Sequence, residues 1–517
     1  MNASNTFMEH HRLLISTLSP IHVGCGEDYE PTNYVIDNGL LYGFDTAALA
    51  GLLDAKQRED LLKRVQGPDA LLKVQAFIHG LREVIPAIST HTVQTCPQLA
   101  AKYKERIGQQ AQKHGDDRVI AQLIIPRTSY NPYTQQPVLP GTGLKGAIRT
   151  AILNAINNGF KEKWGNTKKD AEAFEREKLD GKFETDPMRL IKIGDAQFVE
   201  QSGNISNAVI FDCNLKKKRR SDGKEAKGPS VMREVVSGMN FHCFTSDLSL
   251  QLIPKEILDT FSETTPRKTI RLVEVVHAVN RFYGKLFVKE LEIMKDLDCA
   301  NMEWLLTVEK LLADLKPAFE SHSVMLLRLG RHSSAEGVTV EGIRDIKIKL
   351  DGSNFTRKDH ATTFWLSGES EKQQKNLIPF GWLLLEIDPQ PDSPVSQKIA
   401  ATLQQYNATA YAQEKKLKEA VQAAKQKQQE TAAKRAEQLT QKDREPEILT
   451  WESAELRQEK GAGKLLAISK DGKAEGLLKD ISLPDEVKKK LDAKKPVKCK
   501  VEVRKNGNML AMVKVLS

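Results

Sequence analysis

The sequence predicts an α+β chain that runs into a long helix and then a small β-barrel-like domain. Three observations carry this. Strand-like and helical stretches are interspersed without strict β-α-β-α alternation, which argues against a doubly wound sheet. From about residue 397 to 445 the composition turns to Ala, Gln, Lys and Glu. Beyond Pro446, short strands and tight turns resume.

The chain opens with strand, loop and hairpin. Leu13 to Leu18 reads as a strand stopped by Ser19-Pro20, and Ile21 to Asp28 as a glycine-punctuated loop. Asn38-Gly39 lies between two apolar runs, the strongest short-range signal for a type I′ hairpin. Asp45-Thr46 then caps a helical region reaching about Glu83.

Leu139-Pro140-Gly141-Thr142-Gly143-Leu144-Lys145-Gly146-Ala147-Ile148-Arg149 is the stretch around which the rest of the chain is organised. A Pro- and Gly-broken loop runs straight into a helix, with Thr142 as candidate N-cap. Gly141 and Gly143 allow close backbone approach, and the helix start favours an anion. Lys145 and Arg149 are four apart and project from one face. The stretch is a phosphate cradle or, equally, a loop that lets a helix pack closely on a sheet. It is not a nucleotide P-loop, because Ala147 follows Lys145-Gly146. Just upstream, Tyr130 and Tyr133 suit base stacking or packing of the loop.

Residues 161–186 read as a charged insertion or helix, and Arg189 to Asp195 as a strand. Ala208 to Phe211 and Met232 to Val236 are strands flanking Lys216-Lys217-Lys218-Arg219-Arg220, the densest cationic run. A basic tip between two strands suits a phosphate backbone, with a solvated loop as the bland reading. Phe241 to Leu252 is a further strand, and two helices come next, Ile270 to Asp296 and Asn301 to Leu315. Val324 to Leu329 is a strand leading into a second small-residue loop with Arg328, Gly330, Arg331 and His332. Strands at Thr362–Leu366 and Pro379–Ile387 close the core. The Ala/Lys/Gln/Glu stretch lacks large a/d residues and reads as a solvated helical spacer. The last segment, with a helix at Pro484 to Leu491 and an Asn506-Gly507 turn, suggests an OB or cold-shock-like barrel. Trp451 is its only tryptophan, so a stacking platform and a protein-contact role both stay open.

At 517 residues the chain is long enough for several domains. A net charge of +9 points mildly toward polyanions. Six cysteines lie far apart with no CxxC pair, which disfavours a disulfide framework or zinc ribbon and fits a reducing cytoplasm. The N-terminus lacks a signal-peptide apolar region, and no run approaches a membrane span.

Four stretches together resemble a RAMP-superfamily CRISPR protein. They are Thr17 to Glu27, Leu139 to Arg149, Leu327-Arg328-Leu329-Gly330-Arg331-His332 and Pro379-Phe380-Gly381-Trp382. Their order and spacing are most similar to the fifth Csm subunit of type III-A effector complexes, over roughly residues 10 to 390. The resemblance implies ferredoxin-like (RRM-like) folds: an N-terminal RAMP domain over 1–260 with a basic finger at about 205–245, and a helical, second RAMP-like portion over 261–396. The linker at 397–445 and the barrel at 446–517 lie outside it. It further implies an RNA-binding subunit that caps the complex at the CRISPR RNA 3′ end. Its partners would be CRISPR RNA, the repeated backbone RAMP subunit, the small subunit and recruited host exonucleases. That role calls for no cofactor, metal or nucleophile. RNA contacts are expected at His22, Gly141, Gly143, Lys145, Arg149, Lys217, Arg219, Arg220, Arg328, Gly330 and Arg331. The alternative is a RAMP endoribonuclease using His22, Asp28 and Lys145 for metal-independent cleavage.

Overall fold

The strand Met8–Thr17 is the hub of the structure, buried at Leu13 and Ile15 and paired on both sides. It runs antiparallel to Asn240–Gln251 on one edge and to Trp382–Ile387 on the other. This computed structural model describes residues 7–516 apart from 68, 108–111, 115–116, 120–122, 162–166, 180–181, 219–225, 227–230, 255–265, 267, 351–353, 443–446, 460–462, 494 and 507–508. Two compact units make up the chain, Met1–Ala424 and Lys425–Ser517.

In the first unit, chain order is strand Met8–Thr17, helix Gly141–Asn157, strand Ala196–Phe198, strand Asn240–Gln251, helix Leu272–Asp296 and strand Trp382–Ile387. Spatial order across the sheet is Trp382–Ile387, Met8–Thr17, Asn240–Gln251, Ala196–Phe198. That is the βαββαβ ferredoxin-like arrangement with its fourth strand beside its first. Val324–Arg328 extends the sheet beyond Trp382–Ile387. The expected division at residue 260 is therefore no seam, because the first strand takes one neighbour from before it and one from after it. Both helices pack together, with Tyr283 Oη donating to the Ala147 carbonyl at 3.3 Å. Helix Leu272–Asp296 buries Val275, Val279, Phe282, Phe287, Leu291 and Met294 at helical spacing. Phe287 meets Trp382 edge-on at 4.7 Å, which locks this helix onto the sheet.

A second sheet carries the predicted hairpin, with Asn38 and Gly39 at φ of 48° and 78°. Ala208–Lys216 and Met232–Val235 belong to it and pair antiparallel from Ala208↔Val235 to Phe211↔Met232. The two strands that flank the basic run therefore pair antiparallel, while Arg219 and Arg220 of the expected finger lie outside the described residues. Three local expectations are corrected. Gly24–Tyr29 is a strand paired with Ile125–Thr128, not a loop. The stretch read as a strand from Arg189 begins as a short 3-10 helix, Pro187–Leu190, because Asp186 accepts from Met188 N at 2.8 Å. The long helix Pro394–Lys442 starts out as part of the core rather than a solvated spacer. Ile399, Leu403 and Asn407 fall on one stripe and are buried, and Asn407 Nδ2 donates to the Met239 carbonyl at 2.8 Å. Further on, Glu414 accepts from the Ser206 amide at 2.9 Å.

The second unit ends in a closed barrel whose strands, taken around it, are Glu447–Gln458, Lys464–Ser469, Gly472–Leu477, Met509–Val515 and Val497–Asn506. Helix Asp485–Asp492 lies between the third and fourth strands in sequence, as in an OB fold. Its core holds Trp451, Leu456, Leu465, Val501 and Val503. We expect a chain ending at residue 445 to keep a cooperative thermal unfolding transition, since the barrel has its own core. Loss of that transition would mean the first unit leans on the barrel.

Candidate nucleic-acid interface

The turn after the first strand gathers the separated glycine motifs. Leu18 N donates to the Trp382 carbonyl at 2.9 Å, and Gly381 N to the Pro20 carbonyl at 2.8 Å. Leu329 N reaches the Gly381 carbonyl at 2.9 Å, and Arg331 N the His22 carbonyl at 2.7 Å. Gly330 sits at φ 90° and Gly381 at φ 84°, where a side chain would be strained. A Cβ on Gly330 would run into the His22 carbonyl oxygen, and one on Gly381 into that of Leu329. The Gly143 position completes the junction, its Cβ direction ending 3.1 Å from Leu329 Cδ1.

The first glycine loop packs on protein backbone. A Cβ on Gly141 would meet the Ile193 carbonyl oxygen, so close packing of helix on sheet accounts for this glycine. The helix starts at Gly141 with Pro140 as N-cap, not at Thr142. Gly141 N donates to Asp195 Oδ1 at 2.7 Å, so the protein's own carboxylate takes one of the helix-start donors.

Several expected RNA-contact residues are already committed. Arg149 binds Glu175 at 2.6 Å and Asp186 at 2.6 Å. Arg328 is buried, 2.9 Å from Glu290 and 2.9 Å from the Phe380 carbonyl. Lys217 is held by Glu336 at 2.6 Å. In each case a neighbouring carboxylate neutralises a cation half or more removed from water. His22 is buried, with Nδ1 2.7 Å from the Glu234 carbonyl. Burial, opposed by that hydrogen bond, lowers its pKa to about 4. The imidazole is therefore neutral at pH 7.

Other cations remain available. Arg331 is exposed and makes no side-chain hydrogen bond or ion pair among the described residues. Lys145 is half-buried and likewise unpaired among them; burial and then nearby Lys192 lower its pKa. Lys192 is exposed. Tyr130 proves to be a packing residue: its ring lies 3.8 Å from the Arg127 guanidinium and its hydroxyl donates to Glu27 at 2.7 Å. Tyr133 is 95% exposed.

One element was not foreseen. Among the described residues, Ile346–Lys349 and Phe355–Lys358 pair only with each other, as a two-stranded hairpin. The Ile-Lys-Ile-Lys alternation is the signal that marks it. One face carries Lys347, Lys349, Phe355 and Arg357, all exposed. Lys347 Nζ lies 3.9 Å from the Phe355 ring centre. One carboxylate ties the start of the cationic run to the hairpin's flank: Glu336 takes Lys217 and, at 2.9 Å, the Ala361 amide just after the hairpin. Arg344, just before the hairpin, donates to the Glu336 carbonyl at 3.1 Å.

The acid response of the buried histidines follows from their positions. His22 falls from 6.5 to about 4 in the folded protein, so only the unfolded chain takes up its proton in between. Its contribution is complete above pH 6.5 and fades as pH drops toward 4, by about 3 kcal/mol in all. His91, lowered to about 3 by burial and Arg127, acts in the same direction. Chemical denaturation should thus show stability falling from pH 6.5 to 4, less steeply for His22→Asn. Equal slopes in both chains would contradict this.

The RAMP superfamily profile matches residues 14–334, and the chain belongs to this superfamily. Among solved structures, a chain of a Csm–crRNA–target RNA ternary complex of a type III-A CRISPR-Cas system is similar at 17% identity and TM-score 0.44, covering 73% of this chain and 100% of that one. Csm5 of T. onnurineus is similar at 16% identity and TM-score 0.41, covering 71% and 99%. No curated protein sequence matches. Among the described residues no helix is long and apolar enough to cross a membrane.

Proposed function

We propose that this chain is a non-catalytic RNA-binding subunit of a type III-A CRISPR-Cas complex. It caps the backbone at the CRISPR RNA 3′ end, beside the repeated RAMP subunit and the small subunit, and supports trimming of that end by host exonucleases. One observation carries the RNA-binding part: the hairpin Ile346–Lys349 with Phe355–Lys358 presents the exposed Lys347 and Lys349 beside an exposed Phe355 on one face, with Arg357 alongside and held by Asp345. Cations serve phosphates and an aromatic ring serves a base, which is the inventory of single-strand binding. Arg331 and Lys145, both without partners among the described residues, supply further phosphate contacts beside the glycine junction. The capping role rests on the four motif stretches and their order. Against ribonuclease chemistry stands His22, whose pKa near 4 makes it a weak base at neutral pH.

The test is to co-express the chain with its candidate complex and a CRISPR array, then map the ends of the bound RNA. Deleting this subunit should change the 3′ ends, and the isolated chain should cleave neither precursor nor target RNA. Cleavage that disappears in His22→Ala would replace this reading with the nuclease. Absence of RNA from the complex would refute it outright.

A further inference from the structure

The outward faces of the barrel's first three strands carry a pattern unrelated to RNA. Their register aligns Arg457 with Leu466 and Glu475, and Glu455 with Ile468 and Lys473. Leu456, Ala467 and Ala474 between these rows are fully buried, so the two rows point outward. Leu466 and Ile468 are half-buried, while Arg457, Lys473 and Glu475 are exposed. Each row is thus an aliphatic residue flanked by one cation and one anion, with the charges reversed from row to row. Within these two rows the signs balance, and the exposed Lys464 at the edge of the face is paired with Glu475, so the face makes no track for a polyanion. Trp451 is 4% exposed and belongs to the barrel core, so it offers no surface for base stacking.

We propose that this face docks on the same face of a second copy of the chain, about a two-fold axis parallel to the strand Lys464–Ser469. A half-turn about that axis exchanges the two flanking strands and leaves the middle one in place. Leu466 then meets Leu466 of the second copy, and Ile468 meets Ile468. Arg457 comes opposite Glu475, and Glu455 opposite Lys473, each pairing occurring twice. An isologous interface requires such self-complementarity, and charge at its rim sets the register. Within one copy Arg457 already reaches Glu455 at 2.6 Å, and Lys464 reaches Glu475 at 3.4 Å. The two-fold joins these exposed pairs into networks spanning both copies, and Lys464, on the axis, is turned aside onto Glu475. With so few aliphatic residues the association is weak, with a dissociation constant on the order of tens of micromolar.

Sedimentation velocity on the full chain, treated with nuclease so that RNA cannot bridge copies, tests this across that concentration range. A reversible dimer is expected. Arg457→Glu alone and Glu475→Arg alone should each weaken it at least about tenfold, because like charges then face each other twice. The double variant Arg457→Glu/Glu475→Arg should associate more tightly than either single variant, since the pairing across the axis is restored even though Glu455 and Lys464 then lie beside like charges within each copy. Leu466→Lys should abolish it independently of the charge pairs. All three positions lie on the barrel exterior, and circular dichroism should be unchanged. A monomer throughout the range, single variants that dimerise like the parent, or a double variant no tighter than the single ones would each overturn the proposal.

Discussion

Replacing Arg331, Lys347 and Lys349 together with alanine is expected to weaken binding of single-stranded RNA about 100-fold near 0.1 M salt. None of the three makes an ion pair among the described residues, so each is free to neutralise a phosphate. Each phosphate left without its cation takes about 0.7 from the slope of log affinity against log salt, so the slope should fall by about 2. Arg357 is left in place because Asp345 holds it at 2.5 Å, and its removal would disturb the hairpin. The measurement is a fluorescence anisotropy titration at several salt concentrations. A lower affinity with an unchanged slope would mean that these residues act through folding rather than through phosphates. Arg149→Ala, by contrast, should leave the slope alone, because that guanidinium is already spent on Glu175 and Asp186.

Glu290→Ala should destabilise the first unit by about 4 kcal/mol, the usual cost of stranding one member of a buried ion pair. Glu290 is 8% exposed and Arg328 4%. The carboxylate takes Arg328 Nη1 at 2.9 Å and Trp382 Nε1 at 2.8 Å. Its removal strands a buried guanidinium and a buried indole N–H between helix Leu272–Asp296 and the sheet. The double variant Glu290→Leu/Arg328→Met should recover most of the loss, because two apolar side chains leave no unpaired charge. Denaturant melts of the three chains decide the matter. A double variant as unstable as the single one would mean that the pair organises the junction beyond its charge. The same burial explains why Arg328, a natural phosphate ligand by its place in the second glycine loop, is withdrawn from solvent.

Much of the fold was legible along the chain. Asn38-Gly39 marks its hairpin because the turn needs two residues at positive φ, a purely local demand. The helix Leu272–Asp296 is legible from the spacing of its apolar residues, and the barrel from short strands with a helix between the third and fourth. The long helix was legible as a helix but not as a docked one. Its anchors Ile399, Leu403 and Asn407 find partners such as Met239, which lie far away in sequence.

The candidate site was less legible, since cation type and position say nothing about the nearest carboxylate. Lys145 and Arg149 are equivalent on the helix, yet only Arg149 meets Glu175 and Asp186. Arg328 and Arg331 are three residues apart, yet one is enclosed by Glu290 and Phe380 while the other is exposed. The chain alone determined that its glycine motifs and basic clusters exist, and in what order, because these depend on residue type and local conformation. Only the tertiary structure decided which cations stay free, because a charge inside the fold must be paired and its partner comes from a distant segment.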